Sequence, residues 1–103
     1  MIAHLVLFRF KSGPGQADER LREMAQAMDE LPDAIPAIVG WQHGCNLTAD
    51  DDAWDYGLFA QFRSRDDLQS YFEHPAHVAL LERWCEVAEL RFADFETPQC
   101  RSI

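Results

Sequence analysis

The chain opens with nine residues that are apolar on both strand faces. In Ile2–Phe10, Ile2, His4, Val6, Phe8 and Phe10 share one side, and Ala3, Leu5, Leu7 and Arg9 share the other. A strand of this kind needs cover on both sides. KSGPG (11–15) reads as a turn. Over residues 16–31 the period changes: Ala17, Leu21, Met24, Met28 and Leu31 recur at steps of three and four, which predicts a helix with one inward stripe. Pro32 is expected to end it, because proline disfavours the helical conformation at Leu31.

Residues 38–45 predict a second strand. Val39, Trp41, His43 and Cys45 lie on one face, and Gly40 and Gly44, on the other, suggest a bulge or a close approach of another backbone. After the polar loop 46–53, residues 54–62 alternate cleanly through Trp54, Tyr56, Leu58, Ala60 and Phe62, and form an antiparallel hairpin with the second strand. Ser64, with Asp67 three residues on, resembles a capping box and starts a short helix with Leu68, Tyr71 and Phe72 inward. Pro75 starts another helix at its first position. Its expected stripe is His77, Leu81, Trp84 and Ala88, flanked by Val78, Cys85 and Val87. Residues 90–96 form the last strand around Phe92 and Phe95, and 98–103 are a tail after a single domain of residues 1–97.

This order predicts an α+β fold: a ferredoxin-like, four-stranded antiparallel sheet with its helices on one face. The other face, apolar at Leu5 and Leu7 with Phe59 adding to it, would be bare. A second copy packed sheet to sheet is the simplest cover, so a homodimer closing into an α+β barrel is expected. At 103 residues the core is modest, and an interface would support it.

Charge narrows the partners. A formal net charge of −9 with no basic cluster repels phosphate backbones and anionic membranes, so neither nucleic acid nor a membrane is expected as a partner. No apolar run reaches the length of a membrane span, and the N-terminus lacks the marks of a signal peptide. The odd cysteine count (Cys45, Cys85, Cys100) with no CxxC pair argues against a disulfide framework or a zinc site, and for a cytoplasmic location. Cys45 and Cys85 fall in apolar patterns and read as small core residues.

Candidate chemistry centres on YFEHPAHVALL, residues 71–81. His77 falls in the first turn of its helix, where the helix dipole favours a neutral imidazole able to accept a proton. A buried histidine satisfied by a backbone carbonyl is the structural alternative. Tyr71 lies six residues earlier, and a bend at Pro75 could bring the two together at a cavity. His4, among apolar neighbours, needs a partner such as Tyr71, Tyr56 or a ligand. His74 reads as a solvated cap residue, and His43 is uninformative. The acids Asp50, Asp51 and Asp52 lack the alternation and glycine of a calcium loop. No metal-binding, haem or flavin pattern is present, so no cofactor is expected.

HLVLFRF near the start, LPDAIPAIVGW, SYFEHPAHVAL and the closing FADFE together resemble the stress-responsive A/B barrel (Dabb) domain family over roughly residues 2–96. The resemblance implies a dimeric α+β barrel, within a superfamily that includes small monooxygenases. One plant member, olivetolic acid cyclase, folds a polyketide by an aldol step. Its pocket tyrosine and histidines match Tyr71, His77 and His4 here. A further pocket histidine of that enzyme falls at Tyr56, which can donate a hydrogen bond but cannot act as a neutral base near pH 7. The expected function is binding of a small, partly apolar molecule between sheet and helices, with His4, Tyr56, Tyr71 and His77 as its polar groups. The alternative is a cofactor-independent enzyme: a cyclase or isomerase using Tyr71 and His77 as catalytic residues, or a small monooxygenase.

Overall fold

A computed structural model describes residues 1–13 and 19–98. The elements are β1 (Ile2–Phe10), α1 (Glu19–Ala34), β2 (Gly40–Cys45), β3 (Tyr56–Phe62), α2 (Arg65–Glu73), α3 (Pro75–Val87) and β4 (Ala88–Glu96). The sheet order is β2-β3-β1-β4, antiparallel throughout. β1 is therefore an inner strand, as its two apolar faces require. Met24, Met28 and Leu31 of α1 and Leu80 and Trp84 of α3 are buried against Val6, Phe8, Leu58 and Phe62 of the sheet. The opposite face carries Leu5 and Leu7, with Phe59 and Ala93 paired to Leu5 on the flanking strands. The Arg9 and Arg91 guanidinium groups lie over the Trp54 ring, at 5.2 and 5.7 Å from its centroid.

Four expectations are corrected. The first helix does not stop at Pro32 but runs on to Ala34. Proline has no N–H for the Met28 carbonyl four residues back. That carbonyl instead accepts a 2.8 Å bond from the Trp41 indole Nε1 and is not left unpaired. Trp41→Phe removes this donor and should cost about 1 kcal/mol of unfolding free energy, measured by urea denaturation.

Cys45 and Cys85 are exposed free thiols, not core residues. Cys45 ends the edge strand β2, and Cys85 lies away from the buried Leu80–Trp84 side of α3. For the same reason the α3 stripe is rotated: Leu80 replaces Leu81 as its buried residue, while Val78 and Leu81 are exposed. The third correction concerns Gly40. β2 pairs with β3 in unbroken register, and what approaches is the Gln61 side chain, whose Oε1 lies 2.5 Å from where a Cβ would stand. The fourth concerns Tyr56 and is taken up with the site. Ala17, Cys100 and most of the tail lie outside the described residues.

Candidate functional site

The break between α2 and α3 is built by His74. Ser64 opens α2, its Oγ accepting from the Asp67 N–H at 3.1 Å. At the far end the His74 N–H bonds the Tyr71 carbonyl at 3.2 Å. The same residue caps α3, its Nδ1 accepting from the Ala76 N–H at 3.1 Å, and Pro75 follows as the first helical residue. This double cap turns the chain sharply enough to fold His77 back over α2. The His77 Nδ1 reaches the Phe72 carbonyl at 3.2 Å. Tyr71 and His77 then meet ring against ring, centroids 4.2 Å apart. Among the described residues no hydrogen bond joins them.

His4 approaches from β1. Its register partner on β4 is Asp94, and the His4 Nδ1 bonds the Asp94 carboxylate at 2.5 Å. The imidazole meets the Tyr71 and Phe72 rings edge-on, at 5.6 and 5.3 Å. His4, Tyr71 and His77 line one cavity of about 330 Å³ between sheet and helices. The rest of its wall is apolar, with Phe8, Leu31, Leu80 and Trp84 among the lining residues. Leu81 and the 67% exposed Phe92 form part of the same wall on the α3–β4 side.

Tyr56 does not join this group. Its hydroxyl is held by His43 Nδ1 at 2.5 Å, and His43 Nε2 bonds Asp29 of α1 at 2.6 Å. Its ring packs on Phe8 and Trp84, outside the cavity lining. The expectation that it belongs to the pocket is therefore corrected. In register Tyr56 faces Cys45, and His43 on the same side of β2 supplies a nearer partner than anything in the cavity.

The electrostatics favour the neutral forms of His77 and Tyr71. Burial holds the His77 pKa below the ordinary histidine value, and the neighbouring His4 and His74 lower it further against the opposing bond to Phe72. With Nδ1 donating to a carbonyl, the neutral ring keeps Nε2 as an acceptor. Burial, reinforced by Asp94, pushes the Tyr71 phenol well above its usual range, so it remains a donor. Burial, then Cys45 and Asp29, pushes Tyr56 up to about 12. The arrangement offers a neutral donor and a neutral acceptor beside an apolar hollow.

Sequence reasoning missed Asp94 and the relay through His43 and Asp29. Asp94 was detectable, being in phase with Leu90 and Phe92 on the inward side of β4. The Asp29–His43–Tyr56 relay joins residues from three elements, and no spacing reveals it. Trp84 lies on the inward stripe that the sequence predicts and also forms part of the cavity wall, which its spacing does not reveal. It is buried, and its Nε1 has no hydrogen-bond partner among the described residues. Among the described residues no group of three or more His, Cys, Asp or Glu is placed to hold a metal ion. No helix there is long and apolar enough to cross a membrane.

Comparison with known proteins supports the architecture. An uncharacterized protein of Streptomyces coelicolor is 33% identical over 96 residues, covering 93% of this chain and 99% of that protein. A dimeric protein of unknown function and ferredoxin-like fold from Bacteroides fragilis is 29% identical with a TM-score of 0.77, covering 93% of this chain and 95% of that one. A dimeric ferredoxin-like protein of unknown function from Thermobifida fusca shares the fold, with a TM-score of 0.82 at 24% identity, covering 93% and 90%. The family model for the stress-responsive A/B barrel (Dabb) domain matches residues 2–97, and the chain belongs to that family.

Proposed function

We propose that the protein is a homodimer whose protomers each bind a small, partly apolar molecule between the sheet and the helices. The observation that carries this is the cavity of about 330 Å³, apolar except at His4, Tyr71 and His77. Ligand pockets have this size and this sparse polarity. The ligand's apolar part packs on Phe8 and Trp84. Its polar part is a hydroxyl, accepting from the Tyr71 phenol and donating to His77 Nε2, or a carbonyl, accepting from Tyr71 alone. Dimerisation is supported by the apolar outer face of the sheet and by the dimeric relatives. A cytoplasmic location is in keeping with the free thiols of Cys45 and Cys85.

One observation favours a second reading. A neutral His77 with a free acceptor nitrogen is what a general base requires, so proton transfer on a carbonyl compound is chemistry this site could perform. Ring packing of Tyr71 on His77, with no hydrogen bond between them, gives that reading no advantage over binding.

The test is titration of straight-chain methyl ketones and alcohols by calorimetry. His77→Ala should weaken binding of the best alcohol about fivefold, the worth of one hydrogen bond at ~1 kcal/mol, with the fold intact and ketone binding little changed. Because the folded His77 pKa lies below its unfolded value, the acceptor is fully present at and above neutral pH. Affinity for an alcohol should stay level down to the ordinary histidine value, about 6.5, and fall only as the pH drops on through the depressed one. Absence of binding by every probe would refute the reading, and turnover that depends on His77 would favour the enzyme instead.

A further inference from the structure

Behind the cavity lies a second hollow of about 230 Å³, between α1 and α3. Ala27 and Ala34 line it from α1, and Ala76 and Ala79 from α3, with the exposed Glu30 and Arg83 completing its border. None of the four alanines has a side chain long enough to fill it. Leu31 and Leu80 line both spaces. Both are buried, so these two side chains are the wall between the cavity and the hollow.

We propose that Leu31 and Leu80 determine ligand length: they set the longest unbranched apolar chain the cavity accepts, and the alanine-lined hollow behind them is the space a longer chain would enter. The inference rests on the binding function proposed above. A ligand anchored by its oxygen at the Tyr71 phenol must end its chain within the apolar part of the cavity, where these leucines close the α1–α3 side. Each methylene that finds apolar cover strengthens binding about fourfold (~0.8 kcal/mol), and a methylene that meets the wall gains nothing. The signature is therefore a rise in affinity with chain length and then a break.

The experiment uses the whole chain and the straight-chain methyl ketones from hexanone to tetradecanone, with dissociation constants measured by calorimetry. For the native protein the affinity should climb with length and then level or fall. Leu80→Ala and Leu31→Ala each remove three carbons from the wall and should move the break to longer ketones, by about two methylene groups and about fourfold in affinity for the first ketone past the native limit. Should either alanine variant fail to fold, Leu80→Val makes a smaller opening and should move the break less, in the same direction. Adding Ala79→Leu, an exposed helical position facing the hollow, to the Leu80 variant should bring the break back. Ketone binding whose break stays in place in every folded variant overturns this inference alone. No binding of any ketone or alcohol to the native protein overturns the binding function together with it.

Discussion

Trp84→Ala should remove about 3–5 kcal/mol of stability, the usual cost of deleting a buried tryptophan. The indole is 2% exposed and packs against Phe8 at 4.4 Å and Tyr56 at 5.2 Å between ring centroids. It thereby ties α3 to β1 and β3 at once. Its position beside an existing cavity raises the cost, because the vacated volume merges with space that the surrounding residues already leave open. Domains of this size are stable by only about 5–15 kcal/mol, so the loss is a large share of the total. A fall of more than ~15 °C in the thermal midpoint is expected, read by circular dichroism at fixed protein concentration. A fall of under ~5 °C would mean that the Phe8–Tyr56–Trp84 cluster is not the centre of the core.

The second large effect belongs to the other face of the sheet. Leu5 and Leu7 are 37% and 42% exposed, and Phe59 and Ala93 flank Leu5 on the neighbouring strands. If two protomers meet here about a two-fold axis, every substitution counts twice. Leu7→Glu places a carboxylate among apolar groups, at an effective cost of about 3 kcal/mol in each protomer, and should weaken association by about four orders of magnitude. Size-exclusion chromatography with light scattering should show the native protein at twice the chain mass and the variant at the chain mass. A variant that remains dimeric would place the interface elsewhere. Arg9 and Arg91, held over Trp54 on this face, supply cations near such a carboxylate, so the double variant Leu5→Glu with Leu7→Glu is the stricter test.

The strands and helices were legible because their periods are clean. β1 alternates with apolar residues on both faces and proves to be an inner strand, and Tyr56–Phe62 alternates without a fault. Pro75 signals a bend that could bring Tyr71 and His77 together, while the His74 caps on both helices that fold His77 back over α2 show only in the structure. Four things were hidden because they depend on partners distant in sequence. Pro32 ends no helix, because Trp41 takes the carbonyl that proline leaves free. Tyr56 turns to His43 rather than to the cavity, and only the register of β2 on β3 brings those two together. Asp94 holds His4 across the β1–β4 pairing. Cys85 looked apolar in sequence, yet α3 is rotated so that Leu80 and Trp84 face inward and the thiol faces out. Local periodicity specifies the elements, whereas the polar contacts of the site depend on how those elements dock.

The claim that the cavity binds a small amphiphile is tested most directly by following the three indole N–H signals and the His77 ring nitrogens by NMR during titration with a straight-chain methyl ketone. Trp84 and His77 line the cavity, while Trp54 lies on the opposite face of the sheet under Arg9 and Arg91. Saturable shifts at Trp84 and His77 with Trp54 unmoved are the expected result. Shifts confined to Trp54, or none at Trp84 and His77 at any ketone length, would contradict it.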